Sequence, residues 1–586
     1  MHIYIQQKLQ EAVRQTFPDA SLTNVVVRPC PDPRFGDYQS NAIMGIAKER
    51  KLNPRQAATD VLAHLDVTDC CETPEIAGAG FLNFRVKPEA LARAIAAPLE
   101  GAPLFFQPVA KPRTIVIDFS SPNVAKPMHI GHIRSTALGD ALARLNRKLG
   151  HRVITDNHIG DWGTQFGLLT VGWKSQLDRA SLETDALGEM ERLYKSVTAA
   201  ADADPGVREA ARQELVKLQS GDPTNLEIWG RMIDLSQVQF DEIYGRLGVQ
   251  FDHTLGESFY NPELKRVVQE LVGKGIARES QGAVCVFSEG VLNPKEDPFL
   301  VQKDGEWSPN PALIQKADGA ANYATTDLAT LEYRWNTWQP DDVIYVTDGR
   351  QQLHFRQLFN AWQRWHPELR EGMQLHHVWF GSITGDDGKP YKTRSGETVK
   401  LAGVLDEAQE RAFAVASSKN PDLPEAQRRE IARVVGVGAV KYADLSPNRQ
   451  SDYVFSWDKM LSLQGNTAPY LQYAYARIRS VFRKAGAEAG LNPGLIQLRH
   501  ADELGLAKRL VRFGLSMEAA ASEHRPNYLC LYLYELAGDF ARFYESCPVL
   551  KSEGAERNTR LVLCELTGRV LKEGLNLLGI EVLEQM

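Results

Sequence analysis

Between residues 114 and 155 the chain reads as one strand–loop–helix–strand unit, and no other stretch constrains its fold as tightly. The β-rich run Thr114-Ile115-Val116-Ile117-Asp118-Phe119 leads into Ser120-Ser121-Pro122-Asn123-Val124-Ala125-Lys126-Pro127-Met128-His129-Ile130-Gly131-His132. Ile133, Ala137, Leu138, Ala141, Leu142, Leu145 and Leu149 then recur at spacings of three and four, which predicts a helix from about Ile133 to Leu149. Arg152-Val153-Ile154-Thr155 supplies a second strand and completes a βαβ unit. Such a junction aims backbone N–H groups and the positive end of a helix dipole at an anion. The loop adds two imidazoles, a lysine and a glycine, which suits a triphosphate better than a core. A bare His-x-Gly-His could be two surface histidines beside a turn; the full block is far more specific.

The block resembles the HIGH motif of class I aminoacyl-tRNA synthetases. With SSPNVAKP before it and GDWGTQFG (Gly160 to Gly167) after it, it looks like that of the arginyl-tRNA synthetases. The resemblance implies that arginine and ATP give arginyl-adenylate and pyrophosphate. The 2′-hydroxyl of the terminal adenosine of tRNA(Arg) then takes the arginine, and activation requires bound tRNA. It further implies ATP with Mg2+, L-arginine and tRNA(Arg) as ligands, and a cytoplasmic monomer with no membrane association.

A chain of 586 residues should form about three or four domains. The N-terminus opens an amphipathic helix without a signal-peptide pattern, and no apolar run reaches membrane-spanning length. The seven cysteines are scattered with no C-x-x-C pair, so neither a metal site nor a structural zinc is expected. A net charge of −7 argues little about nucleic acid, because phosphate contacts depend on local patches.

Residues 1–108 read as a small α+β unit, with a strand at Val25-Val26-Val27, helices from about Asn41 and Pro54, and a turn into a strand at Gly78 to Phe84. It resembles the tRNA-binding N-terminal domain of the family. Residues 109–400 read as a doubly wound, Rossmann-like sheet with a helical insertion at about 175–250 and further strands at 342–347 and 377–380. Residues 401–586 carry helical stripes, such as Leu529, Tyr532, Leu533, Leu536, Phe540 and Phe543, and predict a helical bundle. That part is similar to the family's anticodon-binding domain, its first portion linking to the catalytic part. The expected class is therefore an α/β multidomain protein.

Activation spreads negative charge over phosphoryl oxygens, so the protein must supply position and positive potential. By resemblance His129 and His132 donate N–H bonds to those oxygens, Gly131 lets the backbone approach the adenine, and Lys126 reaches the phosphates. The segment Lys389 to Glu397 aligns with the KMSKS loop, giving Lys392 and Arg394 as further ATP contacts. Ser395 stands where the second lysine of that motif is expected, so Lys126 gains weight as its replacement.

Arginine specificity requires a carboxylate facing a guanidinium. Tyr323 and Asp327, four apart, share a helical face and match the family's contacts to substrate arginine; Asn123, Gln351 and Glu257 match the rest of that set. For tRNA, Phe35, Tyr38 and Gln39 form an aromatic–amide set suited to an unstacked base, with Tyr38 in the small unit's core as the competing reading. Trp457, Tyr470, Tyr473 and Arg477 form the C-terminal aromatic and basic set, against core packing. A nucleotidyltransferase with its own HxGH loop is disfavoured by the length and the helical C-terminal part. A non-catalytic RNA-binding paralogue is disfavoured by the intact Lys126, His129 and His132.

Overall fold

The computed structural model describes residues 1–391, 398–486 and 490–586. At its centre β1 (Thr114–Asp118) runs through the loop into α1 (Ile130–Lys148) and back as β2 (Arg152–Asp156). A helical insertion follows, including α2 (Ala186–Ala203) and α3 (Pro223–Leu247). The second half supplies α4 (Tyr323–Trp338), β3 (Asp342–Tyr345), α5 (Gln352–Trp365) and β4 (Gln374–His377). The strands form one parallel sheet in the order β4-β3-β1-β2. β1 thus pairs with one strand from each half of the chain. The crevice beyond the carboxyl ends of β1 and β3 is where such sheets take ligands.

Alternation along the strands feeds two cores. Val343, Val116 and Ile154 stand in one register row and pack with Leu328, Leu331, Phe355 and Trp362 of α4 and α5. Ile115, Ile117 and Ile344 face the opposite core, which contains Ala137, Leu138 and Ala141 of α1. Gly139 is required here: a Cβ on it would sit 2.1 Å from the Phe119 ring.

Residues before the central parallel sheet form a four-stranded antiparallel sheet from Arg28–Pro29, Tyr38–Ser40, Phe81–Phe84 and Glu75–Ala77, accompanied by helices that include His2–Thr16 and Ala42–Glu49. The C-terminal part is helical, with α6 (Leu401–Lys419), α7 (Glu425–Leu445), α8 (Ala468–Ala485), α9 (Asn527–Ser546) and α10 (Gly554–Leu577). Lys508 pairs with Asp37 at 2.7 Å and joins the two ends of the chain. Among the described residues no helix is long and apolar enough to cross a membrane.

Several expectations are corrected. The Val25–Val27 strand is absent, and pairing begins at Arg28. Val25 and Val27 are buried, but the Val27 N–H donates to Gln6 Oε1 at 3.1 Å, so that run marks burial and not a ladder. The strand expected at 377–380 is Gln374–His377; Val378 and Phe380 are buried where the chain leaves the sheet. The antiparallel strands Ala277–Ser280, Ala283–Val286 and Ala312–Gln315, with the hairpin Leu300–Lys303/Glu306–Pro309, were not anticipated. Most consequential is α1, which starts at Ile130 rather than about Ile133, so Gly131 and His132 belong to its first turn.

Candidate active site

The early start of α1 has a local cause. His129 is its N-cap, and its Nδ1 accepts from the Gly131 N–H at 3.1 Å. The His129 N–H in turn donates to His132 Nδ1 at 3.0 Å, so the two imidazoles form a reciprocal capping box. The rings lie 3.9 Å apart. Each Nδ1 is an acceptor, so each neutral ring carries its proton on Nε2 and offers a donor there. Burial, and then Arg350, hold the His129 pKa below the usual histidine value. Burial, and then His129, push that of His132 down to about 3. Both rings are therefore neutral hydrogen-bond donors near pH 7. A Cβ at Gly131 would lie 2.9 Å from the His129 ring, which is why glycine stands between the histidines.

The loop before them is held in a costly shape. Ser120, Ser121 and Ala125 have φ of 73°, 48° and 62°, a region that costs side-chain-bearing residues about 1–3 kcal/mol each. Surrounding groups hold it. Ser120 N–H donates to Ser135 Oγ (2.8 Å), Ser121 N–H to Asn157 Oδ1 (3.0 Å), and Ala125 N–H to Ser236 Oγ on α3 (3.0 Å). Lys126 lies over the Tyr194 ring of α2, its Nζ 4.7 Å from the centroid.

The last described residues beside the KMSKS-like segment meet this loop. Ile130 N–H donates to Val399 O, and Leu401 N–H to Met128 O, both at 2.9 Å. Lys400 pairs with Glu191 on α2 at 3.3 Å. Lys392, Arg394 and Ser395 themselves lie outside the described residues. Arg134, two positions after His132, is almost wholly buried. It pairs with Asp444 of α7 at 2.9 Å and donates to Gly381 O at 2.7 Å. One guanidinium thus joins the α1 helix to the segment leading into that loop and to the C-terminal helices.

The other wall is acidic. Asn123 and Gly160 form a bridge past the ends of β1 and β2, and a Cβ on Gly160 would sit 2.4 Å from Asn123 Oδ1. Glu257 is anchored beside them, its N–H donating to Ile159 O at 3.1 Å. Burial lifts the Glu257 pKa to about 7; His158 opposes the shift, and Asp327 and Asp161 add to it. Tyr323 and Asp327 share one face of α4, with Tyr323 58% exposed. Asp327 Oδ2 is 2.6 Å from His354 Nε2. Gln351 is exposed at the end of the turn Gly349–Gln351 that opens α5. Among the described residues, no lysine or arginine pairs with Asp327, Glu257 or Asp161. By contrast, Asp118 and Asp156, at the ends of β1 and β2, share the buried Arg334 at 2.6 and 2.8 Å. The floor carboxylates share a buried cation, and those of the wall have none among the described residues.

The sequence reading missed Arg350, Tyr194 and His354. His354 could have been noticed as the one histidine in Asp348 to His354, but nothing local distinguishes it from a surface residue.

Outside the crevice, Phe35 is 54% exposed, whereas Tyr38 is only 2% exposed, with the Arg512 guanidinium 5.9 Å from its ring. Tyr38 is therefore core and not a platform for a base; strand pairing of Tyr38 with Phe84 turns it inward. Gln39 is half-buried. Tyr473 and Arg477 are exposed on one face of α8, with Arg477 over Tyr544 (4.8 Å) and Tyr470 beside Tyr534 (5.8 Å). Trp457 packs elsewhere, against Phe455 (4.8 Å) and under Arg411 (5.4 Å).

Comparisons with known proteins agree along the whole chain. Residues 104–457 match the catalytic domain of class I tRNA synthetases (R), 471–586 the DALR anticodon-binding domain, and 4–86 the arginyl-tRNA synthetase N-terminal domain. The arginine–tRNA ligase of Chromobacterium violaceum is 46% identical, with all of each chain covered. That of Synechococcus elongatus is 45% identical over 99% of each. The crystal structure of Plasmodium falciparum arginyl-tRNA synthetase superposes with a TM-score of 0.81 at 26% identity, covering 100% of this chain and 99% of that one.

Proposed function

The chain belongs to the class I arginyl-tRNA synthetases, enzymes that charge tRNA(Arg) with arginine, and from that premise we propose how its own residues divide the work. ATP binds, with Mg2+ as counter-ion on its phosphates, against the first turn of α1. His129 and His132 donate Nε2–H bonds to phosphoryl oxygens, and Gly131 admits the adenine. Lys126 leaves the Tyr194 ring to meet the charge that develops as pyrophosphate departs. Lys392 and Arg394 add contacts from the KMSKS-like segment. The guanidinium of arginine enters the acidic wall, with Asp327 and Glu257 as its charged partners and Tyr323 beside them. Asn123 and Gln351 hold the amino and carboxylate end. The carboxylate attacks the α-phosphorus in line and pyrophosphate leaves; the 2′-hydroxyl of the terminal adenosine then attacks the carbonyl carbon of the adenylate, forming the ester as AMP leaves and the hydroxyl proton is released.

The observation that carries this reading is the juxtaposition, at the carboxyl ends of the strands, of neutral imidazole donors with carboxylates that pair with no lysine or arginine among the described residues. The tRNA meets Phe35 and Gln39 on residues 1–108, and Tyr470, Tyr473 and Arg477 on the bundle within 401–586; residues 109–400 do the chemistry. Trp457 is the weakest member of that set. The enzyme acts as a cytoplasmic monomer, and activation waits for tRNA. ATP–pyrophosphate exchange that needs both arginine and tRNA supports the account; exchange with arginine alone contradicts the tRNA requirement. Removing residues 1–108 should weaken tRNA binding and leave a folded catalytic part. Undiminished tRNA affinity in the folded truncation contradicts the N-terminal assignment.

A further inference from the structure

We propose that His354 is a positioning residue for arginine recognition, fixing Asp327 with one oxygen free for the guanidinium and backing the Tyr323 ring. The proposal rests on the reading of Asp327 as a guanidinium partner.

Three observations support it. His354 Nε2 and Asp327 Oδ2 are 2.6 Å apart, and both side chains are largely buried, at 14% and 20% exposure. The imidazole ring centroid is 4.8 Å from that of Tyr323 and 5.1 Å from that of Phe355. The two partners come from different helices, α4 and α5, so the contact fixes the mouth of one helix pair and not a local turn.

Chemistry sets the direction of the bond. A carboxylate only accepts, so the imidazole carries a proton on Nε2 and donates it. This occupies Oδ2 from the α5 side. A carboxylate with one oxygen pinned loses the rotation about its Cβ–Cγ bond and presents Oδ1 in a fixed direction. A guanidinium demands such direction, because its N–H groups are coplanar and rigid. The ring packing does the same for Tyr323, which is 58% exposed. A lysine or arginine in place of His354 would also bond Asp327, but would neutralise the charge the substrate needs. The single directed N–H of His354 orients the carboxylate and occupies only Oδ2.

The test uses the full-length enzyme with tRNA, measuring ATP–pyrophosphate exchange against arginine and against ATP, with thermal melts to confirm folding. His354→Phe keeps the ring and removes the donor; the arginine KM should rise about tenfold with the ATP KM unchanged, the scale of one lost charge-assisted contact. His354→Gln restores an N–H at the Nε2 position and should return the arginine KM to within about threefold of wild type. Adding His354→Phe to Asp327→Asn should change the arginine KM by less than about twofold beyond Asp327→Asn alone. If Asp327→Asn raises the arginine KM and His354→Phe does not, the positioning role is overturned while the pocket reading stands. If His354→Gln is as impaired as His354→Phe, the hydrogen bond is not what matters and the proposal also falls. If Asp327→Asn itself leaves the arginine KM unchanged, the pocket reading fails, and this inference fails with it.

Discussion

The two walls of the crevice solve opposite electrostatic problems. On the phosphate wall the incoming ligand is anionic, yet the fixed groups there are neutral: two imidazoles with lowered pKa values, held as Nε2–H donors by their own capping box. The one cation in the loop before them, Lys126, rests on a tyrosine ring. On the arginine wall the ligand is cationic, and the charge is built in. Glu257, Asp161 and Asp327 act on one another electrostatically, none of them pairs with a lysine or arginine among the described residues, and burial lifts the Glu257 pKa to about 7. Position is thus stored in hydrogen bonds on one wall, and potential in buried charge on the other. The phosphate wall should act on rate, because charge demand there peaks as pyrophosphate leaves. The arginine wall should act on binding and answer to pH.

The largest effect should come from Lys126. Lys126→Ala should slow adenylate formation by about a hundredfold or more, with much less change in ATP binding, as measured by single-turnover adenylate formation with tRNA present. A near-wild-type rate would transfer the role to Lys389, Lys392 or Arg394. Asp327→Asn, which keeps size and removes charge, should raise the arginine KM at least about tenfold and leave the ATP KM little changed.

A pH titration sharpens the contrast further. The empty pocket protonates Glu257 below about pH 7, and the guanidinium prefers the ionised form. The arginine KM should fall as pH rises towards 7, by up to about tenfold per unit, and level off above it. The ATP KM should show no break from His132, which is already neutral far below that range. Glu257→Gln should flatten the arginine profile.

The smallest effect is on stability. A carboxyl whose folded pKa is raised binds more protons in the folded state, so its cost appears as pH rises from about 4.5 and is complete above about 7. Glu257→Gln should therefore raise the melting temperature at pH 8 by about 2 °C or more, and leave it unchanged near pH 4. An equal shift at both pH values would mean that packing, not charge, is responsible.

The same contrast explains what could be read from the sequence. The phosphate wall is contiguous: strand, loop and helix follow one another from Thr114 to Lys148, so periodicity and motif sufficed to find it. Only its finer shape was hidden, because a histidine N-cap is not a usual helix start and moved α1 back to Ile130. The proposed arginine wall draws on Asn123, Glu257, Tyr323, Asp327 and Gln351, which are scattered over more than 200 residues; resemblance named them, and local pattern could not. His354 and Arg334 were invisible for the same reason, since their partners lie 27 or more residues away. Tyr38 misled because an aromatic in a polar loop reads as exposed, whereas strand alternation turns it inward.

The division of labour between the walls is tested most directly by single-turnover adenylate formation across a range of arginine concentrations, with tRNA and ATP saturating, in Lys126→Ala and Asp327→Asn side by side. The account predicts that Lys126→Ala lowers the plateau rate about a hundredfold and leaves the half-saturating arginine concentration near that of wild type. Asp327→Asn should shift that concentration at least about tenfold and largely keep the plateau. A plateau loss in Asp327→Asn as large as that in Lys126→Ala, or an arginine shift in Lys126→Ala, would contradict it.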